Sequence, residues 1–241
     1  MKKLFKKTIK WLFIIALICA GAIWALGYRE YQAVLKETSL ESKVATLHEQ
    51  NGYATYDTIP QLFLDAVVSV EDERYWTRTT TLDYEALGRA MVVNVMHFSL
   101  EQGGSTIPQQ VAKNLYFDHS ASLVRKVSEY YITKELLDDY SKYDILEMYV
   151  NIIYYGNGGY GIKNASQIYF DVDPWQLNEG ELIILAGLPQ APSVYDLTIN
   201  FNLAKERQAH VLSRMVSNEI IDQDRADAIY AMEVRIYEEN D

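Results

Sequence analysis

Residues 11–27, WLFIIALICAGAIWALG, carry no charge and follow five lysines at Lys2, Lys3, Lys6, Lys7 and Lys10. This run constrains the chain more than any other stretch. At about 17–18 residues it sits at the short limit for a helix that spans a bilayer. Trp11, Trp24 and Tyr28 lie near its ends, where interfacial aromatics belong. Lysines ahead of the span place the amino terminus in the cytoplasm and the rest outside. The rival is a cleaved signal peptide, because Ala20-Gly21-Ala22 resembles a small-residue cleavage site. The apolar run continues past that site with Ile23, Trp24 and Leu26, which favours an uncleaved anchor. The sequence therefore divides into a basic cytoplasmic tail (1–10), a transmembrane signal-anchor (11–28), a juxtamembrane stalk (29–57) and an exported domain (58–237).

That exported part is acidic. The whole chain carries −11, and setting aside the five tail lysines leaves −16 on the remainder. Nucleic-acid binding needs clustered Lys and Arg to neutralise phosphates, so that class of partner is excluded. Cys19 is the sole cysteine and lies inside the span. A disulfide-stapled fold and cysteine catalysis are excluded with it.

Helical spacing dominates from residue 58 onward. Thr58 can cap a helix and Pro60 fits its first turn, with Leu62, Phe63, Ala66, Val67 and Val70 on one face. That helix ends in Glu71-Asp72-Glu73, for which a solvated helix end is the ordinary reading. Residues 77–83 read as loop and Tyr84 to Phe98 as helix. In residues 123–138, Val124, Val127 and Tyr131 form a buried stripe. Arg125 and Glu129 lie four apart on another face, where an exposed ion pair is the ordinary reading. Ser141 and Asp144 start a helix that stops at Gly156, and Asn178 and Glu181 start another. Ala204 to Val216 and Asp222 to Met232 close the chain. Alternating Val-rich strands are nearly absent, so the fold is mainly α.

The stretch Gly103-Gly104-Ser105-Thr106-Ile107-Pro108-Gln109-Gln110-Val111-Ala112-Lys113-Asn114 carries the strongest chemical signal. Ser105 or Thr106 caps a helix that tolerates Pro108 in its first turn. Gln110 and Lys113 stand three apart on one face. A glycine turn leading into a helix start suits an anionic ligand, because free N–H groups and the dipole point at it. A polar loop before an ordinary capped helix is the alternative.

Taken together, these stretches resemble the peptidoglycan glycosyltransferases, glycosyltransferase family 51. This family includes the polymerising domain of class A penicillin-binding proteins and its monofunctional, membrane-anchored relatives. Glu71-Asp72-x-x-Tyr75 resembles the motif EDxxF, and Gly103 to Asn114 resembles GGSTIxQQxxKN. Arg125-Lys126-x-x-Glu129 resembles RKxxE. Residues 145–162 and 185–195 resemble the fourth and fifth motifs, in order. The first motif usually continues xxHxGxD. Here it continues Trp76 to Asp83, one residue longer, without the histidine and with threonine at the glycine position.

The resemblance implies a lysozyme-like, two-lobed domain, a helical head with a smaller jaw, behind one transmembrane helix. It implies polymerisation of lipid II, with inversion, by attack of the acceptor's GlcNAc 4-hydroxyl on an undecaprenyl-pyrophosphate-linked donor. Glu71 is then the general base and Glu129 the second catalytic glutamate. Asp72, Tyr75, Thr106, Gln110, Lys113, Arg125 and Lys126 are expected to bind substrate. The resemblance leaves room for a divalent cation, Mg or Mn, near Glu129 and requires no metal or other cofactor. The implied partners are lipid II, the growing glycan strand and the bacterial cytoplasmic membrane, with cell-wall synthesis or division proteins beyond them. Two other readings are a degenerate, non-catalytic lipid II-binding scaffold or regulator, and a muramidase-like hydrolase using two carboxylates. The cationic cluster argues against the hydrolase, since a neutral glycosidic bond has no pyrophosphate to stabilise.

Overall fold

The computed structural model describes residues 2–89, 104–117 and 122–237. Among these the regular elements are helices, as the sequence pattern implies, with a lone antiparallel bridge between Tyr154 and Tyr160. Helix α1 runs unbroken over Lys2–Glu37. Among the described residues it is the one helix long and apolar enough to cross a membrane, and none of its apolar window is covered by the rest of the protein.

The helix does not stop where the apolar run stops. Its last turns pack on α5 (Leu123–Asp139), the first of the two reaching the contact through Gly27. A Cβ at Gly27 would stand 2.5 Å from Val127 Cβ and 2.7 Å from the Val124 carbonyl oxygen, so only glycine fits the crossing. Trp24 donates its indole N–H to the Tyr131 hydroxyl at 2.8 Å. The Tyr28 and Tyr31 rings lie 5.0 and 5.1 Å from the Tyr131 ring. The stripe Val124, Val127 and Tyr131 thus faces the anchor, while Arg125, Ser128, Glu129, Ile132, Thr133 and Leu136 face the core. The expected buried stripe is thus covered, by the anchor helix, whereas the Arg125–Glu129 face expected at the surface is buried in the core. Periodicity finds an apolar face but does not say which neighbour covers it, and here the neighbour is another part of the same chain.

Residues 29–57, expected as a stalk, are packed into the domain. Helix α2 (Leu40–His48) is capped by Ser39 and buries Leu40, Val44 and Leu47. Farther on, the Asn151 carboxamide receives the Ala54 N–H at 2.8 Å and donates to the Ala54 carbonyl at 2.8 Å. Glu147 accepts from the Tyr53 hydroxyl at 2.6 Å and the Tyr56 N–H at 2.5 Å. A nine-residue helix with three buried positions is too short to show as a period, which is why the segment read as irregular.

Helix α3 (Gln61–Glu71) begins after Pro60 rather than at Thr58, which closes a short 3-10 turn. Phe63, Leu64, Ala66 and Val67 fully bury its inner face and leave Glu71 as its last residue. Residues 84–89 are helical; the rest of the helix expected to Phe98, together with Gly103, falls outside the described residues. The chain continues with α4 (Ile107–Tyr116), α6 (Lys142–Ile152), α7 (Ile162–Phe170), α8 (Glu179–Gly187), α9 (Phe201–Ser217) and α10 (Gln223–Tyr230). Helices α3, α8 and α9 pack as one group, and α4 packs on α5 and α6. Every residue of α8 from Gly180 to Gly187 is buried, so it forms the centre of the first group.

Candidate active site

Between these groups lies a groove of about 750 Å³. Glu71, Asp72, Thr106, Gln110, Lys113, Arg125 and Lys126 all line it, as do Arg207, His210 and Arg214 of α9. Seven of the nine site residues expected from sequence are therefore brought together from α3, α4 and α5.

Glu71 projects from the end of α3 with only 12% of its side chain exposed. Its Oε2 accepts from Gln110 Nε2 at 2.9 Å, and its Oε1 lies 3.9 Å from an Arg207 guanidinium nitrogen. Burial pushes its pKa up. The Gln110 hydrogen bond and the Arg207 charge pull the other way, and the neighbouring Asp72 charge adds to the rise. The outcome is a carboxylate more basic than an ordinary surface glutamate.

Arg207 was not singled out from sequence, although a signal exists. Ala204, Arg207, Gln208 and Val211 follow the buried stripe of α9, and two polar residues on such a stripe need partners. Gln208 donates to the Gly180 carbonyl at 2.7 Å, and Arg207 Nε donates to the Gly187 carbonyl at 3.1 Å. Gly187 leaves the space: a Cβ there would meet Arg207 Cγ at 2.9 Å.

Asp72 and Tyr75, expected to bind substrate, are held by contacts within the chain. The Asp72 carboxylate accepts from both terminal nitrogens of Arg78, at 2.5 and 2.8 Å, and from the Ile107 N–H at 3.1 Å. The start of α4 does meet an anion, then, but one supplied by this chain. Tyr75 is fully buried and gives its hydroxyl proton to the Lys142 carbonyl at 2.5 Å. Thr106 caps α4 as expected, and its N–H donates to Gln109 Oε1 at 2.9 Å.

One turn along α4 from Gln110, Lys113 enters a cationic cluster with Arg125 and Lys126. Burial depresses the Lys113 ammonium's pKa, the Arg125 and Lys126 charges depress it further, and Glu129 opposes them. Arg125 Nε lies 2.8 Å from Glu129 Oε1, and Lys126 Nζ lies 2.5 Å from Glu129 Oε2. Glu129 is completely buried beneath them. The ion pair that sequence reasoning placed on the surface therefore belongs to the interior. Three cations, Lys113, Arg125 and Lys126, meet two carboxylates, Glu129 and Glu30 of α1, and leave the pocket with a positive balance for a polyanion. Both Glu129 oxygens are committed to cations, and among the described residues no group of three His, Cys, Asp or Glu comes together.

The longer loop after Tyr75 still delivers Asp83 to the groove. Its carboxylate pairs with Arg74 at 2.7 Å and accepts the Ala86 N–H at 2.8 Å, starting the helical turn at 84–89. One residue before Arg74, Glu73 is held by Arg89 at 2.8 Å and by Arg214, and both cations keep its carboxyl below the usual range.

Comparison with known proteins gives the same assignment. Residues 39–216 match the transglycosylase family. Penicillin-binding protein 2D of Bacillus subtilis is 40% identical over 164 residues, covering 68% of this chain and 24% of that protein. Penicillin-binding protein 1A of Neisseria flavescens is 38% identical over 173 residues, covering 72% of this chain and 22% of its own length. Penicillin-binding protein 1A of Aquifex aeolicus is 38% identical over 164 residues, with 68% and 22% covered. The chain thus spans less than a quarter of the length of these curated relatives.

Proposed function

The chain belongs to the transglycosylase family, and from that premise we propose that it polymerises lipid II into glycan strands at the bacterial cytoplasmic membrane. One observation carries the proposal. A buried, proton-accepting Glu71 shares a groove with a polyanion-receptive cluster one helical turn away. A sugar hydroxyl is a weak nucleophile and needs such a base. A departing pyrophosphate needs such cations.

In the reaction, the acceptor's GlcNAc 4-oxygen forms a bond to C1 of the donor's muramic acid. The C1–oxygen bond to undecaprenyl pyrophosphate breaks on the opposite face. Glu71 takes the hydroxyl proton, with Gln110 fixing one carboxylate oxygen and Arg207 near the other. Lys113, Arg125 and Lys126 receive the charge that develops on the leaving group. Glu129 acts through Arg125 and Lys126, holding both in place from below. Helix α1 spans the membrane with its lysines inside and the groove outside, and both substrates hang from the same bilayer by their lipids.

Incubating labelled lipid II with the detergent-solubilised full chain, beside Glu71→Gln, tests this reading. Glycan ladders from the parent that vanish in the variant are the expected result. Release of sugars from finished cell wall in place of ladders would establish a hydrolase instead. Lipid II binding with no ladder from either protein would establish a scaffold.

A further inference from the structure

The loop that departs most from the family pattern contains Arg78, an arginine that reaches two carboxylates of the chain. The Arg78 side chain is 8% exposed and the Asp72 carboxylate it grips is 2% exposed. The guanidinium makes the two-pronged contact with Asp72 at 2.5 and 2.8 Å and lies 3.7 Å from Asp83. Its Nε donates to the Thr80 carbonyl at 3.2 Å. Lys142 Nζ locks the same loop from α6, donating to the carbonyls of Trp76 at 2.9 Å and Arg78 at 2.7 Å. One guanidinium thus joins Asp72, which follows Glu71 directly, to Asp83, which starts the 84–89 turn. Asp72 in turn accepts the first amide of α4, the helix that carries Gln110 and Lys113.

We propose that Arg78 is a positioning residue for the transfer reaction, holding the end of α3 against the start of α4 so that Glu71 meets Gln110. The proposal rests on the reading of Glu71 as the base. A fixed fork suits the task, because it satisfies both oxygens of a buried carboxylate and sets the plane of the group. Lysine could supply the charge but not the plane. Arg78 also neutralises Asp72, the like charge nearest Glu71. The other groups facing Glu71 are Gln110 of α4, Arg207 of α9, and Tyr149 and Tyr155 from beneath; none of them touches Arg78.

The test compares Arg78→Gln and Arg78→Lys with the parent in the full chain, using labelled lipid II. Arg78→Gln is expected to lower kcat at least tenfold with KM changed by less than about threefold, since small misplacements of a reacting group cost rate more than binding. The acid limb of the kcat–pH profile is expected to move to higher pH, because Asp72 then stands unneutralised beside the base and disfavours its charged form. Arg78→Lys is expected to return the limb to the parent's position while recovering only part of kcat. A purely structural arginine would not move that limb. Parental kcat and limb in Arg78→Gln overturn the proposal. So does a loss that disappears once activity is normalised to the folded fraction. A parent that makes no polymer counts against the transferase reading alone. Arg78 is then judged by protease cleavage within 79–81, which should accelerate in Arg78→Gln; unchanged cleavage overturns the proposal in that case.

Discussion

Replacing Gly187 by alanine would test whether Arg207, the cation beside Glu71, is placed by packing. The new Cβ would lie 2.9 Å from Arg207 Cγ and 3.3 Å from Val211 Cγ2. Carbon atoms rest at about 3.5–4.0 Å, so the arginine stem must retreat by roughly 0.6 Å. Overpacking on this scale costs about 1–3 kcal/mol, and each kcal/mol moves Tm by about 2–4 °C in a domain of this size. The same retreat loosens the hold on Glu71. At the observed 3.9 Å and an effective dielectric near 20, the attraction is roughly 4 kcal/mol, and an extra 0.6 Å removes about 0.5 kcal/mol. Turnover on the acid side should therefore fall about two- to threefold. The decisive assay is a double-mutant cycle, with melts of the solubilised chain and polymerisation rates for Gly187→Ala, Arg207→Ala and the pair. Arg207→Ala removes Cγ, so Gly187→Ala should cost little in that background, giving a coupling of about 1 kcal/mol or more. Equal cost in both backgrounds would refute the argument, since the glycine would then be needed for a reason unrelated to Arg207.

Other expectations follow from the same geometry. Because burial raises the Glu71 pKa, the acid limb of kcat should lie above the ordinary glutamate range; activity is lost as pH falls through it, and a limb at or below that range contradicts the assignment of the base. Arg125→Ala leaves Glu129 charged and buried with one partner fewer, so it should destabilise by about 3–5 kcal/mol in melts. Lys126→Ala, whose side chain is 45% exposed, should keep Tm within a few degrees yet slow polymerisation. Asn151→Ala orphans the Ala54 N–H and carbonyl together and should cost about 2–5 kcal/mol; a loss below 1 kcal/mol would mean that residues 53–57 are not docked as described.

Much of this site could be read along the chain because its chemistry is local. Gln110 and Lys113 share a helix face, and Arg125, Lys126 and Glu129 share another, so spacing alone groups them. What spacing could not supply was the partner of each face. The α5 ion pair read as exposed because nothing in residues 123–138 announces that α1 covers the opposite side. Arg207 was hidden for a related reason, since its partners Gly187 and Glu71 lie far off in sequence. The loop at 77–83 is one residue longer than the family pattern, and the extra length is taken up in turns fixed by Arg78 and Lys142.

Helix α5 presents the anchor on one side and the cationic cluster on the other, within a single turn of Val124 and Val127. The height of the cluster above the apolar run is therefore a fixed length of protein, not the reach of a tether. One residue inserted into α1 between Gly27 and Tyr31 would turn everything beyond it by about 100° and lift it by about 1.5 Å. Cutting the chain after residue 37 would leave Tyr130, Tyr131 and Val127 without the helix that covers them. A soluble fragment made that way would lose a wall of its own domain, and its self-association or inactivity would say nothing about whether the reaction needs a membrane.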